Sequence, residues 1–174
     1  DLFYSNVRPA VDAGISHFDT ADIYGMGVSE RILGRWGRPD VHLATKCGIL
    51  NGPPRAVRND EAYIRQCLEE SLRRLNREHV DLYYIHRRQP DIPVEELAGT
   101  MARLVQEGKI GGYGLSEIAP STLRRAHAEQ EQPPVRSCRL EEPPCRVQAA
   151  LDCRDQRQPL EIGGHLDLRF QPFG

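Results

Sequence analysis

Short apolar runs alternate with longer amphipathic segments from residue 2 to about residue 112 of this chain. Each run contains β-branched or aromatic residues and is bounded by Gly, Pro, Asp or Asn, a pattern typical of buried strands. The predicted strands cover residues 15–24, 41–47, 80–86 and 111–116.

Helical periodicity occupies the segments between these runs. Two apolar faces recur at spacings of three and four residues, as one side of a helix requires. The first consists of Ile64, Cys67, Leu68, Ser71, Leu72 and Leu75, and the second of Val94, Leu97, Ala98, Met101, Leu104 and Val105. Gly108 is the expected stop of the second helix. Shorter helices are predicted over residues 2–13, 29–36 and 121–129, the last with Ser121 as its N-cap.

Strands and helices that alternate at this spacing predict βαβ units, and therefore an α/β fold with parallel strands and outer helices. The pattern by itself fits either a doubly wound sheet or a barrel. After about residue 130 the chain becomes rich in Pro, Arg and Cys, and residues 136–157 fit neither period. That composition predicts loop, disorder or a sequence without selective constraint.

Charge and cysteine content exclude several classes of protein. The formal net charge of −2 and pI near 6.3 give no electrostatic basis for binding nucleic acid or an anionic membrane. No apolar run has the length of a membrane span, and no secretory signal is visible. The 5 cysteines are an odd number without a CxxC pair. They favour reduced thiols in the cytoplasm over disulfides, and we expect no metal site.

Polar residues lie at or just beyond the carboxyl ends of the predicted strands. Asp19 and Tyr24 belong to the first, Lys46 to the second and His86 to the third. Ligands and chemistry gather at this end of parallel α/β folds. Isolated polar groups are costly to bury, so we expect the four to meet. A neighbouring ammonium favours the phenolate form of a tyrosine, and an imidazole can orient a carbonyl, so the group suits acid–base chemistry on a carbonyl.

The segments that carry these residues closely resemble those of the aldo-keto reductases. Residues 14–25 (GISHFDTADIYG) are similar to the family's catalytic Asp/Tyr motif, residues 43–48 (LATKCG) to its Lys strand and residues 83–87 (YYIHR) to its His strand. Residues 112–117 (GYGLSE) resemble the next strand. The resemblance covers residues 2–129, with the motifs in the family's order and spacing.

The resemblance implies a TIM-type (β/α)8 barrel that reduces an aldehyde or ketone with NADPH. It implies Tyr24 as general acid, Asp19 and Lys46 as the residues that tune it, and His86 as the residue that orients the substrate. Ser116 and Glu117 are implied as contacts of the nicotinamide amide, and Phe170 as an aromatic that stacks on the nicotinamide. The partner is a small carbonyl compound, and the oligomeric state is left open.

The length of 174 residues falls short of a whole barrel, which takes about 250. We therefore expect one incomplete domain over residues 1–174, well matched over 1–130 and divergent over 131–174, with a frame-shifted or disordered stretch near 136–157. The family's first strand and the segment that binds the adenosine 2′-phosphate have no counterpart, which predicts weak or absent cofactor affinity. A non-catalytic nicotinamide-binding regulatory or scaffold subunit and an inactive fragment are the alternatives.

Several residues have simpler structural interpretations. Cys47 is expected to be an inert core thiol because no partner thiol or base accompanies it. Arg87 and Arg88 are expected in a solvated loop. The glycines of residues 111–114 precede or lie inside a strand, which is a poor context for a dinucleotide-binding turn.

Overall fold

The computed structural model describes residues 2–36, 38–53, 56–130 and 147–150. Helices and strands alternate through these residues. The helices are α1 (Leu2–Asp12), α2 (Val28–Trp36), α3 (Glu61–Leu75), α4 (Val94–Gln106) and α5 (Pro120–Gln130). The strands are β1 (His17–Asp19), β2 (His42–Cys47), β3 (Ile49–Leu50), β4 (Ala56–Val57), β5 (Leu82–Ile85), β6 (Tyr113–Ser116) and β7 (Val147–Ala150).

Five of the strands form a parallel sheet in the order β1-β2-β5-β6-β7. Apart from the antiparallel β3–β4 hairpin, each strand lies beside its predecessor along the chain. The order therefore never reverses, whereas a doubly wound sheet reverses at its switch point. Because parallel crossovers are right-handed, a constant direction places the connecting helices on one face. Of the two architectures that the sequence pattern leaves open, this order favours the barrel.

The ends of α3 show how local sequence sets a helix. Asp60 precedes the helix, and its side chain accepts a hydrogen bond of 3.1 Å from the Tyr63 N–H, as an N-cap does. Asn76 follows the last turn with a left-handed backbone, φ 53°. This conformation allows the Arg77 N–H to donate to the Leu72 carbonyl over 3.0 Å, which closes the helix.

The core lies between the outer face of the sheet and the helices. Leu43 and Cys47 of β2 and Tyr83 and Ile85 of β5 belong to it. The predicted apolar faces of α3 and α4 are confirmed, since all of their members are buried except Val105, which packs at the edge of the core. Neighbours on the two strands, Lys46 and Tyr84, pair in register and face the opposite side of the sheet, because side chains alternate along a strand.

Helices α2 and α3 make a close backbone contact at Gly34. A β-carbon at this position would lie 2.3 Å from the Arg74 carbonyl oxygen, well inside the 3.0 Å within which β-carbons essentially never have a neighbour. The absence of a side chain at Gly34 therefore lets the two helices approach, and the approach brings the Arg74 side chain to the first turn of α2, where it meets Glu30.

Four features of the fold differ from the sequence prediction. The strand predicted over residues 15–24 extends only over His17–Asp19, and residues 22–27 form a turn. The β3–β4 hairpin was not predicted, and neither was β7, which pairs with β6 inside the stretch expected to lack regular structure. Helix α5 begins at Pro120, so Ser121 lies in its first turn and is not the N-cap. The divergence expected after residue 130 lies largely outside the described residues.

Candidate active site

The four predicted catalytic residues lie together at the carboxyl end of the sheet. Asp19 ends β1, Lys46 is the penultimate residue of β2, and His86 directly follows β5. These strands are neighbours, so their ends share one edge. Tyr24 lies in the turn between β1 and α2, with its ring 5.8 Å from the ring of His86. The structure thus brings together all four side chains that the sequence places at strand ends.

Lys46 has two oxygen partners at this edge. Its ammonium forms an ion pair with the Asp19 carboxylate and donates a hydrogen bond of 2.9 Å to the Thr20 carbonyl. The Lys46 side chain is 12% exposed and that of Asp19 is 50% exposed. A largely buried ammonium is stable only when it is paired and hydrogen-bonded. Asp19 and the Thr20 carbonyl therefore hold a charged Lys46 in one place.

The Tyr24 ring lies between a cation and an imidazole. Lys46 Nζ is 5.5 Å from the centroid of the ring, and the His86 ring meets it edge-on at 83°. On the other side of the ammonium, the Tyr84 ring is 5.8 Å from Nζ. Tyr24 is 44% exposed and Tyr84 is 7% exposed. Of the two tyrosines beside Lys46, Tyr24 is thus the one accessible to a ligand.

His86 presents a neutral imidazole to the site. Burial, followed by the nearby charges of Lys46 and Arg87, lowers the pKa of His86 below its ordinary value. Its Nδ1 atom is buried and has no hydrogen-bond partner among the described residues. A neutral imidazole offers one donor and one acceptor nitrogen. His86 is therefore suited to donate a hydrogen bond to a neutral oxygen.

The turn that carries Tyr24 is anchored to β2 and α2. The Thr20 N–H donates to the Ala44 carbonyl over 2.9 Å, and the Asp22 N–H donates to the Lys46 carbonyl over 3.0 Å. The Thr20 hydroxyl donates to the Ser29 hydroxyl over 2.8 Å. Tyr24 is thereby positioned by the same strand that carries Lys46.

A buried carboxylate links this anchor to the rest of the fold. Glu30, in the first turn of α2, is fully buried. Its two oxygens accept hydrogen bonds of 2.5 Å from the Thr45 hydroxyl and 2.5 Å from Arg74 Nε. Because Thr45 precedes Lys46 in β2, Glu30 ties α2 and α3 to the strand that carries Lys46. The sequence analysis missed this residue.

Asp22 is a second carboxyl group in the same region. Its Oδ1 atom is buried without a hydrogen-bond partner among the described residues. Burial, together with the negative charge of Glu30, raises the pKa of Asp22 to about 6, although Arg74 opposes the shift. The folded state therefore disfavours the ionised form of this residue.

We expect Asp22→Asn to stabilise the chain at neutral pH. The pKa of Asp22 is higher in the folded chain than in the unfolded chain, so protonated Asp22 stabilises the fold. This stabilisation is fully present below the ordinary pKa near 4 and is lost as the pH rises through about 6. Near neutrality the variant should gain about 1–2 kcal/mol, a figure reduced for partial exposure. Urea unfolding at several pH values measures the difference. A gain that does not shrink toward about pH 4 would show that ionisation of Asp22 is not its cause.

The residues predicted to contact the nicotinamide lie beside the cluster. Ser116 ends β6, the neighbour of β5, and Glu117 follows it with a left-handed backbone, φ 50°. The Glu117 carboxylate forms an ion pair with Arg87. Phe170 lies outside the described residues. Ser116 and Glu117 are thus adjacent to the end of the strand that leads to His86.

The described residues include those of two structural interpretations. Cys47 is fully buried, which confirms a core thiol. Burial raises the pKa of this thiol well above the ordinary value, which favours the predicted inertness. Arg87 and Arg88 lie in the loop after β5, as predicted, with partly exposed side chains, and both side chains also bind protein oxygens. Arg87 pairs with Glu117, and Arg88 donates to the carbonyls of Gln89, Pro90 and Ile92.

In the described residues, no three His, Cys, Asp or Glu side chains are grouped so as to hold a metal ion. None of the helices described is both long and apolar enough to cross a membrane.

Comparison with known proteins places this arrangement in a family. A family model described as the aldo/keto reductase family matches residues 3–143. The probable aldo-keto reductase 1 of Glycine max is 42% identical to this chain over an alignment of 130 residues, which covers 71% of this chain and 38% of that protein. The chain therefore spans well under half of the length of this relative.

Solved structures give the same result. A glycerol dehydrogenase from Gluconobacter oxydans is similar with a TM-score of 0.63 and 37% identity, over 70% of this chain and 40% of that one. An aldo-keto reductase from Bacillus halodurans, solved in its holo form, has a TM-score of 0.64 and 34% identity, over 70% of this chain and 43% of that one. An aldo-keto reductase from Klebsiella pneumoniae, solved in complex with NADPH, has a TM-score of 0.57 and 30% identity, over 69% of this chain and 40% of that one. The sheet order, the strand-end cluster and these matches agree: the chain belongs to the aldo/keto reductase family, and its described residues form part of a (β/α)8 barrel.

Proposed function

We propose that this chain contributes to the NADPH-dependent reduction of an aldehyde or ketone to an alcohol, with Tyr24 as the general acid. The observation that carries the proposal is the convergence of Asp19, Tyr24, Lys46 and His86 at one edge of the sheet. A tyrosine that can donate a proton, a cation beside it and a neutral imidazole that can orient the substrate suit the protonation of a carbonyl oxygen. A small carbonyl compound is the proposed substrate.

The residues at this edge fit a nicotinamide cofactor. Tyr24 is open to a ligand, the Nδ1 atom of His86 has no partner among the described residues, and polar side chains on the adjacent β6 end complete the edge. Ser116 and Glu117 would hold the carboxamide there, since a hydroxyl and a carboxylate accept from its amino group. Bound NADPH supplies a hydride, and the chain supplies orientation and electrostatics.

The proton is delivered by Tyr24. Its Oη–H bond breaks as the proton passes to the carbonyl oxygen, which becomes the hydroxyl of the alcohol, and the electron pair stays on Oη. The Lys46 ammonium, 5.5 Å from the ring centroid, stabilises the resulting phenolate. The ion pair with Asp19 holds the Lys46 ammonium in place. Proton return from solvent is possible because Tyr24 is partly exposed.

His86 orients the carbonyl group of the substrate. Its lowered pKa keeps the imidazole neutral near neutrality, so it binds a neutral oxygen without competing with Tyr24 as the source of the proton. The Tyr24 turn, anchored to β2 through the Thr20 and Asp22 backbone, fixes the acid relative to Lys46. This pre-organised geometry supports catalysis over a purely structural role for the four residues.

Oxidation of NADPH by the chain in the presence of an aldehyde or ketone tests the proposal. We expect weak cofactor binding and slow turnover that depends on the carbonyl compound and is absent without it. Binding without turnover would favour the alternative of a non-catalytic regulatory or scaffold subunit. A folded chain that neither binds nor turns over NADPH would contradict the proposal and favour an inactive fragment. A tight NADPH complex would overturn the expectation of weak affinity.

A further inference from the structure

The Arg87 side chain bridges the carboxyl ends of β5 and β6. Its guanidinium forms an ion pair with the Glu117 carboxylate. Its Nη1 atom donates a hydrogen bond of 2.8 Å to the His86 carbonyl and lies 3.5 Å from the Ser116 hydroxyl. One side chain therefore contacts the backbone of the substrate-orienting histidine and both residues that are proposed to hold the cofactor amide.

Fold stability does not account for this ion pair. The Arg87 and Glu117 side chains are 40% and 50% exposed, and a pair in such a position contributes about 1 kcal/mol or less. Glu117 also has φ 50°, a conformation that residues other than glycine adopt infrequently. The backbone conformation of Glu117 is energetically unfavourable, and the ion pair that it allows is weak. Unfavourable backbone conformations of this kind cluster at functional sites.

We propose that Arg87 is a positioning residue of the nicotinamide site, where it fixes Ser116 and Glu117 relative to His86 and neutralises the Glu117 carboxylate. This inference rests on the proposed function, in which Ser116 and Glu117 hold the carboxamide. Arg87 acts through these two residues and takes no part in proton transfer.

Neutralisation of Glu117 has a consequence for the two forms of the cofactor. The nicotinamide ring carries a positive charge in NADP⁺ and none in NADPH. An unpaired carboxylate beside the ring attracts the oxidised form and leaves the reduced form almost unaffected. Arg87 cancels most of that preference, so its removal favours NADP⁺ over NADPH.

Equilibrium dialysis of the full chain against NADPH and, separately, NADP⁺ measures this preference. We expect Arg87→Met to shift the ratio of the two dissociation constants about three- to tenfold in favour of NADP⁺. The double variant Arg87→Met/Glu117→Gln removes both charges and should return the ratio toward that of the wild type. Arg87→Lys keeps a cation and should change the ratio by less than about twofold.

A second measurement needs no cofactor. The positive charge of Arg87 contributes to the lowered pKa of His86, so the pKa of this histidine, followed by NMR, should rise in Arg87→Met.

The outcomes separate this inference from the proposed function. If the wild-type chain binds the cofactor and Arg87→Met leaves the ratio of the two dissociation constants unchanged, the inference is overturned and the proposed function stands. Equal weakening of NADPH and NADP⁺ binding also overturns it, since neutralisation of Glu117 by Arg87 requires the ratio of the two dissociation constants to change. An unchanged His86 pKa overturns it as well. Absence of binding of either form by the wild-type chain overturns the proposed function, and the inference with it.

Discussion

Replacement of Tyr24 by Phe is expected to lower the rate of carbonyl reduction about 10²- to 10⁴-fold, the usual contribution of a general acid. The substitution removes only the Oη–H group, and the ring that packs beside His86 remains. Cofactor binding should therefore change little. Initial rates of carbonyl-dependent NADPH oxidation, with dialysis to measure binding, separate the two effects.

A matched control is available on α3. Tyr63→Phe removes the same atom from a tyrosine that packs against the core at a distance from the cluster, and it should leave the rate within about twofold. An equal loss of rate in both variants, or an undiminished rate in Tyr24→Phe, would contradict the role given to Tyr24. Lys46→Met should lower the rate as well, because the phenolate would then lack its neighbouring cation.

Replacement of Arg74 by Met is expected to lower the free energy of unfolding by about 3–5 kcal/mol. The Glu30 side chain is 0% exposed and that of Arg74 is 21% exposed. The variant leaves a buried carboxylate whose remaining hydrogen bond in the described contacts comes from the Thr45 hydroxyl. Urea unfolding followed by the fluorescence of Trp36, the one tryptophan of the sequence, measures the loss.

Arg125→Met is the control for this prediction. Arg125 pairs with Glu95 through side chains that are 60% and 36% exposed, and loss of an exposed pair costs less than about 1 kcal/mol. Equal costs for the two substitutions would contradict the account of Glu30 as a buried anchor. The double variant Glu30→Met/Arg74→Met removes both charges and should be less destabilised than Arg74→Met alone.

Local pattern was sufficient to predict most helices and the larger strands. The apolar residues of α3 recur with helical spacing because one face packs on the sheet, so periodicity identified Ile64 and Leu72 as core. Strands of two residues contain no measurable period, which is why the β3–β4 hairpin was missed. Its turn signal, Asn51–Gly52 between two apolar pairs, was present and favours a hairpin.

Strand β7 could not be predicted from its own residues. Val147–Ala150 contains one β-branched residue, and its strand conformation depends on pairing with β6. Tertiary contacts of this kind override weak local propensity.

Within the site, the sequence motifs identified Asp19, Tyr24, Lys46 and His86, because polar residues at the ends of apolar strands stand out. Their catalytic roles stay predictions. Glu30 was missed since its partners, Thr45 and Arg74, are 15 and 44 residues away in sequence. A signal existed, because Glu30 precedes Leu33 by one helical spacing and therefore shares the buried face of α2. Arg87 gave no comparable signal, since its side-chain partners Ser116 and Glu117 are 29 and 30 residues away in sequence.

Transfer of deuterium is the most direct test of the central claim, that this chain carries the acid–base machinery of a carbonyl reductase. The chain is incubated with an aldehyde and with NADPH that carries deuterium at the transferring position of the nicotinamide ring, at a concentration high enough to offset the weak affinity that we expect. Mass spectrometry should find alcohol with deuterium on the former carbonyl carbon, at a level far above that given by Tyr24→Phe. Deuterated alcohol at the same level from both chains, or from neither, would contradict the account.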